Sequence, residues 1–440
     1  MGPLHGEGDG EGDRDQARGA TRASEPGVAR KLRFTFVVSR YGEGILGGAE
    51  KHARDIAEAL AARGHDVRAL TTCARHYKTW ANELPAGVTQ LHGVEIERHP
   101  IAMRRLVGLD DVLKTIACAL PTRRRLADAW YASAGPFCPA LVRRAVEETA
   151  TRDLVIHFSL QSWVTAKALD AAPNAALVPV VHDEPPTYLS RAAATLRQPR
   201  MIIANTEEEW ARIQSVAGPR CAPGVIVATG QGPAPALDAT FRAPVDGPYL
   251  LLLGRMAKAK PVLETWRRLR ALDAPLISGG RTLSFRDVKL LAVGERHGAF
   301  DHEPGVVSTG FVDDATRWQL LRRATALINP SRHESLSLVL LEAWACEVPV
   351  VVSSLCDVTT GQCARSQGGF AVDFAAPDTA ARVIAERLRD EAPRARMGRS
   401  GRAYVERRYP WRRIVESYEA IARGERVLPL EPQTSLAEMD

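Results

Sequence analysis

No apolar run in this chain of 440 residues approaches the roughly 18–20 residues that a bilayer-spanning helix requires. Stretches such as 348–352 are strand-sized. The opening Met1-Gly-Pro-Leu-His-Gly-Glu-Gly-Asp9 has neither a basic start nor an apolar segment, so it is no secretory signal, and a cytoplasmic protein is expected. Cysteine is sparse, with seven residues, an odd number, and no Cys-x-x-Cys pair. That spacing offers neither a disulfide framework nor a zinc site and suits reduced, mostly buried thiols. Aromatic residues make up only 6%, and the arginines are scattered. Nucleic-acid binding wants basic and aromatic residues interleaved in one patch, so that partner is set aside. Lysine is scarce too: eight of the 58 basic residues. The net charge of +6 allows an anionic partner without naming one.

What remains is ordinary soluble composition, 45% hydrophobic and 25% charged, which excludes disordered, fibrous and collagen-like chains. The length suggests two or three domains of about 150 residues each. Residues 1–30 hold seven Gly, six acidic and four basic residues with little to bury, and read as a disordered tail. From Lys31 a buried-strand run, 32–38, leads into the turn Tyr41-Gly-Glu-Gly-Ile-Leu-Gly-Gly48. A helix follows with Ala53, Ile56, Ala57 and Leu60 on one face, stopped by Gly64, and then a second strand, 67–71. This β–glycine loop–α–β order opens a parallel, doubly wound sheet. Further strands are expected at 154–157, 177–181 and 201–204, the last feeding a capping box, Thr206-Glu-Glu-Glu209. Around 218–248 the texture turns to Gly, Pro and Ala and marks a boundary. A second alternating unit restarts with strands at 249–253 and 289–293. It continues with a helix from Asp313, a strand at 326–329, a helix near Ser337 and a strand at 348–352. The expected architecture is α/β, two Rossmann-like doubly wound domains facing a cleft.

The strongest local pattern is Asn329-Pro-Ser-Arg-His-Glu334-Ser-Leu-Ser-Leu-Val-Leu-Leu-Glu342. A strand ends, Pro330 breaks it, a polar loop follows and an apolar helix begins. Glu334 falls in the loop, and Glu342 lies on the helix if Ser337 is the N-cap. The N–H groups of Ser335, Leu336 and Ser337 then point into the same space, a seat for hydroxyl or phosphate oxygens. Two carboxylates flanking it could each grip a vicinal diol; the plainer reading leaves both as solvated surface acids. A second pattern, Gly254-Arg255-Met-Ala-Lys258-Ala-Lys260, puts cations at the carboxyl edge of a strand, where doubly wound sheets bind ligands.

Together these patterns resemble the retaining GT-B glycosyltransferases of the family 4 type. Glu334 and Glu342 match that family's Glu-x7-Glu motif; Gly254, Arg255 and Lys260 match its Gly-Arg-x4-Lys motif; Gly47-Gly48-Ala-Glu50 resembles its first glycine loop. The resemblance divides the chain into an acceptor-side domain at 31–235, a linker at 236–248 and a nucleotide-sugar domain at 249–410. A helix at 411–425 crosses back to the first domain, and 426–440 is a tail. It implies that Arg255 and Lys260 neutralise the donor diphosphate in place of a metal. Glu342 holds the ribose, Glu334 the sugar, and Gly47 and Gly48 close over the phosphates. His182, in Val180-Val-His-Asp-Glu184, faces the reacting carbon. No cofactor or metal is implied; the nucleotide diphosphate sugar is a co-substrate and a hydroxyl compound the acceptor. Two departures stand out. Pro261 follows Lys260 where the family has Gly, and Ser335-Leu-Ser337 replaces Gly-Phe-Gly.

His182 also admits the reading of a hydrogen-bonded strand-end residue, and His157 that of a structural or cleft-lining one. Gly42-Glu-Gly44-Ile-Leu-Gly47 mimics a dinucleotide fingerprint. Its first Gly comes too late after the strand, however, and the second strand ends in Thr71-Thr72 with no acid. Residues 100–150 carry Arg104-Arg105, Arg123 to Arg125 and Arg143-Arg144 beside Ile116, Leu120, Trp130 and Tyr131. This surface either lies on the inner face of a membrane or is a set of solvated helix faces. Besides hexosyl transfer from a UDP- or GDP-sugar, a sugar-nucleotide epimerase of the same fold and a non-catalytic sugar-nucleotide-binding subunit remain as alternatives.

Overall fold

The computed structural model describes residues 30–45, 47–255, 260–295 and 298–427, with the side chains of Arg255 and Lys260 outside that description. The expectation of a disordered tail at 1–30 therefore falls almost wholly outside the described residues.

The first half alternates β1 (Arg33–Val37), α1 (Gly48–Ala62), β2 (Asp66–Thr72), β3 (Gly87–Leu91) and β4 (Val94–His99). Three helices follow, α2 (Leu109–Ala119), α3 (Arg124–Ala134) and α4 (Pro139–Glu148). Next come β5 (Leu154–Phe158), α5 (Trp163–Ala171), β6 (Ala176–Val178), α6 (Ser190–Thr195), β7 (Met201–Ala204), α7 (Glu207–Ala217) and β8 (Gly224–Ile226). Its eight strands run in the order β3-β4-β2-β1-β5-β6-β7-β8, parallel except where β3 turns back on β4.

The second half holds β9 (Tyr249–Arg255), α8 (Lys260–Ala271), a hairpin of β10 (Pro275–Ser278) and β11 (Arg281–Ser284), and β12 (Lys289–Glu295). It continues with α9 (Gly298–Asp301), β13 (Val306–Gly310), α10 (Asp314–Arg323), β14 (Ala326–Asn329), α11 (Leu338–Ala345) and β15 (Val350–Ser353). It closes with α12 (Asp357–Ser366), β16 (Gly369–Val372), α13 (Pro377–Leu388), α14 (Glu391–Arg408) and α15 (Trp411–Arg423). Its six strands run β13-β12-β9-β14-β15-β16, all parallel.

In each sheet the chain starts in the middle, winds one way and then the other. The reversal falls between β1 and β5 in the first sheet and between β9 and β14 in the second. Ligands of such sheets bind outside the carboxyl ends of the strands at this switch point. The glycine turn after β1 and the Glu334 loop after β14 both leave from it.

From Leu32 onward the chain forms one compact unit. The last helix, α15, packs Ile414, Val415, Tyr418 and Ile421 into the core that holds Phe34, Ile56 and Leu60. The His65 ring fixes it there. The Leu32 N–H donates to Nδ1 (3.3 Å), so the proton sits on Nε2, which donates to Glu419 (2.8 Å).

Three local expectations are corrected. The strand expected at 177–181 stops at Val178, because Pro179 offers no N–H to the ladder and Val180 turns left-handed at φ 53°. Strand β8 lies inside the Gly/Pro stretch read as a boundary. Trp130 and Tyr131 are core residues, 4% and 1% exposed, not surface aromatics.

Helix α14 crosses close behind α11. A Cβ at Gly398 would stand 1.8 Å from the Glu347 carbonyl oxygen, a backbone atom that cannot swing aside. Gly398→Ala is expected to push the two helices apart at a cost of about 1–3 kcal/mol, read as a lower denaturant midpoint with an unchanged slope.

Candidate active site

Helix α11 begins where the sequence places it. Ser337 occupies the N-cap, but its hydroxyl does not cap the helix; it accepts a hydrogen bond from Asn329 Nδ2 (2.8 Å), tying the loop to the end of β14. The N–H groups of Ser335, Leu336 and Ser337 meet no carbonyl or side-chain acceptor among the described residues. These three residues are buried at the helix start.

Glu342 is not a surface acid. It is 4% exposed, and its carboxylate pairs with the Arg317 guanidinium from α10, which also contacts Asp314 at 3.2 Å. Burial pushes the Glu342 carboxyl up, Arg317 pulls it back, and Lys51 and Asp55 of α1 act on it with opposite signs. Glu342 thus lies within the electrostatic reach of a helix from the other half. Glu334 stays on the loop, half-buried. Burial raises the Cys356 thiol and the charge of Glu334 raises it further, which sets Glu334 beside the start of α12.

Gly254, next to last in β9, takes a left-handed conformation (φ 119°). Gly294 of the neighbouring β12 must also be glycine, since a Cβ there would come 2.1 Å from the Gly254 carbonyl oxygen. The two backbones approach closely at the carboxyl ends of β9 and β12. Residues 256–259 and the side chains of Arg255 and Lys260, expected to neutralise a diphosphate, lie outside the described residues.

Across the crevice, Gly47 (φ 151°) is followed by Gly48 at the first position of α1. A Cβ on Gly47 would meet the Glu50 carboxylate at 2.1 Å. Glu50 is held by Arg40 through Nε (3.0 Å) and Nη2 (2.6 Å). Arg40 is 6% exposed and also donates to the Arg75 carbonyl (3.1 Å). Glu50 belongs to the glycine-loop motif read from the sequence, but its partner Arg40 carries no motif and escaped the sequence reading. His52, one turn into α1, is buried and donates to the Ala228 carbonyl (3.2 Å); burial lowers it to about 4, so its ring is neutral. His157 on β5 is 1% exposed and likewise lowered by burial to about 4, which fits a core residue.

His182 lies four residues beyond β6, in a turn. Its Nδ1 stands 3.6 Å from Glu184, and Glu184 also accepts from Gln161 Nε2 (2.9 Å). The neighbouring His182, aided by the hydrogen bond from Gln161 and opposed by burial, holds the Glu184 carboxyl down at about 2. The turn is joined to the second half through Thr206, whose hydroxyl donates to the Ser335 carbonyl (3.2 Å). Ion pairs of Arg365 with Glu208 (2.6 Å) and of Arg408 with Glu207 reinforce that junction.

Because Glu342 is buried, removing its partner strands a charge. Arg317→Ala is expected to cost about 3 kcal/mol at neutral pH. The loss should shrink in acid, where protonation neutralises the orphaned carboxyl. Urea unfolding at two pH values measures both.

With this geometry in place, comparison with known proteins is specific. The family described as Glycosyl transferases group 1 matches residues 237–404. The D-inositol 3-phosphate glycosyltransferase of Xylanimonas cellulosilytica is 26% identical over 423 residues, covering 88% of this chain and 94% of that protein. Among solved structures, sucrose-phosphate synthase from Thermosynechococcus elongatus superposes with a TM-score of 0.66 at 15% identity, over 90% of this chain and 99% of that one. The trehalose-6-phosphate structure from E. coli bound with UDP-2-fluoro glucose gives 0.59 at 12% identity, over 89% and 99%. The chain has the GT-B fold, and its residues 237–404 match the model of the glycosyl transferases group 1.

Proposed function

We propose that this protein is a retaining hexosyltransferase, using a nucleoside diphosphate sugar and an alcohol acceptor. The observation that supports it best is Glu342, a carboxylate buried at the switch point of the family domain and facing α1 of the other half. A ribose diol entering there would find a ready acceptor of its hydrogen bonds. Glu334, one loop away, would take sugar hydroxyls. The N–H groups of Gly47 and Gly48, with Arg255 and Lys260, would meet the diphosphate as charge develops on it. In the reaction the bond from the anomeric carbon to the phosphate oxygen breaks, and the nucleoside diphosphate leaves with the electron pair. The acceptor oxygen bonds the same face, and its proton passes to the departing phosphate. His182, half-exposed in its turn, would orient the acceptor. On this reading the route would need no metal, with Arg255 and Lys260 taking its place as the resemblance implies.

The donor is expected to be a UDP- or GDP-sugar. The acceptor class spans glycans, lipid-linked oligosaccharides and small metabolites; D-inositol 3-phosphate is the first to try, since the relative bears that name. We place the protein in the cytoplasm, in contact with the inner membrane face through α2. Among the described residues no helix is long and apolar enough to cross a membrane. Helix α2 nevertheless exposes Leu109, Val112 and Ile116 along one side, with Leu106, Val107 and Leu120 flanking it. Arg104, Arg123 and Arg125 are exposed nearby. Co-sedimentation with anionic but not neutral vesicles, lost in Val112→Asp, is the expected result.

A thermal-shift panel of UDP, GDP, ADP and TDP tests the donor site. One nucleotide should raise the melting temperature, because a ligand that binds only the folded state adds stability. If none does, the reading fails. With that nucleotide's sugar, Glu334→Ala should abolish transfer. Conversion of the donor without any acceptor would favour an epimerase, and binding without turnover a non-catalytic subunit.

A further inference from the structure

Helix α7 opens with a side chain that the proposed chemistry leaves unused. Glu209 is fully buried, at 0% exposure. Its Oε1 accepts the Val181 N–H at 2.6 Å and its Oε2 the Asn205 N–H at 2.6 Å. The two N–H groups belong to different loops, one after β6 and one after β7. The first loop carries His182 immediately after Val181. The second leads into Thr206, whose hydroxyl accepts the Glu209 N–H (3.2 Å) and donates to the Ser335 carbonyl of the other half.

Only a carboxylate fits this position. Each oxygen must accept from a backbone donor, whereas an amide has one oxygen and would turn its NH2 toward the second N–H. An apolar side chain would leave both buried N–H groups unmade, each at a desolvation cost. Burying a carboxylate is itself expensive, and Val180, just ahead of the clamped residue, is held at φ 53°, a conformation that a β-branched residue adopts only under constraint.

We infer that Glu209 is a positioning residue for the acceptor side: ionised, it clamps the His182 turn to the loop that touches the donor segment at Ser335, and protonated, it lets that turn go. The inference rests on the reading of His182 given above. Burial lifts the Glu209 carboxyl to about 7, against its hydrogen bonds and the nearby His182, so the change falls near neutrality. The charged groups around it leave His182, backed by Glu184, as its facing neighbour. On its own helix Glu207 and Glu208 pair with Arg408 and Arg365. Arg212 pairs with Asp357 of α12, and Arg191 of α6 with Asp170. The sign follows. Because the folded value lies above the unfolded one, stability contributed by the protonated form is complete below about 4.5 and is lost as pH rises through about 7. The fold is therefore more stable with the clamp open than closed.

Amide hydrogen exchange of the full chain, read on peptides covering 179–184 and 203–207, tests this directly. In Glu209→Gln both peptides should exchange about tenfold faster at about pH 8, with the rest of the first half unchanged. In the wild type the same acceleration should appear as pH falls from about 9 to about 6, after correction for the intrinsic exchange rate. With the donor found by the nucleotide panel, Glu209→Gln should lower kcat about tenfold at unchanged donor KM and remove the acid limb of the pH profile. Unchanged exchange in the variant and across pH in the wild type would overturn the clamp. Should the variant not fold, the wild-type pH series decides alone. His182→Ala separates the two readings: normal turnover with the exchange signals present sinks the role of His182 and keeps the clamp. Lost turnover with those signals absent does the reverse.

Discussion

Three consecutive side chains at the start of α7 tie the two halves together, and a fourth ties the loops of its own sheet. Thr206 reaches the Ser335 carbonyl, Glu207 takes Arg408, Glu208 takes Arg365, and Glu209 gathers the loops of its own sheet. A helix start favours acids, since its first N–H groups are unpaired and its dipole is positive there. Glu207 and Glu208 share Arg365 and Glu209 turns inward, so one turn of helix serves both the junction and the core. The Glu334 loop, at the switch point of the second sheet, is positioned relative to this junction through Ser335, and the His182 turn after β6 through Val181.

The frame of the molecule was legible because it is written in local patterns. The run 32–38, the glycine turn, the apolar face of α1 and the stop at Gly64 each follow from spacing. So does the start of α11 at Ser337. The β3–β4 and β10–β11 hairpins were not legible: their strands are short and partly exposed, with burial patterns such as Gly87–Leu91 that show no alternation. Helices α12 and α14 carry many charged and small residues and weak periodicity, and their faces are set by packing, α14 against α11 and α12 against α14 and β16.

The site was legible only as far as its motifs. Glu334 and Glu342 stood out by spacing, yet the depth of Glu342 and its partner Arg317 depend on how α10 packs against α11, which no local window contains. Thr206-Glu-Glu-Glu209 reads as a capping box, and half of it is one. Thr206 accepts from the Glu209 N–H, but the Glu209 carboxylate reaches past Thr206 to Asn205 and Val181. The missing signal was the cost of burial: a Glu at the N3 position looks the same whether it faces water or core. Arg40 was missed for the same reason, as one cation among many until the glycine turn folds over it.

Helix α15 has a consequence for how the chain comes into being. His65 and Glu419, bonded to each other, stand 354 positions apart, and Tyr418 fills the same core as Phe34. During synthesis the first sheet emerges early but lacks one wall of its interior until α15, at Trp411–Arg423, has left the ribosome. The second half, whose sheet and helices are contiguous from Tyr249 to Arg408, meets no such delay. The order of completion is thus inverted relative to the order of translation: the half made last can settle first, and the half made first waits for its closing helix.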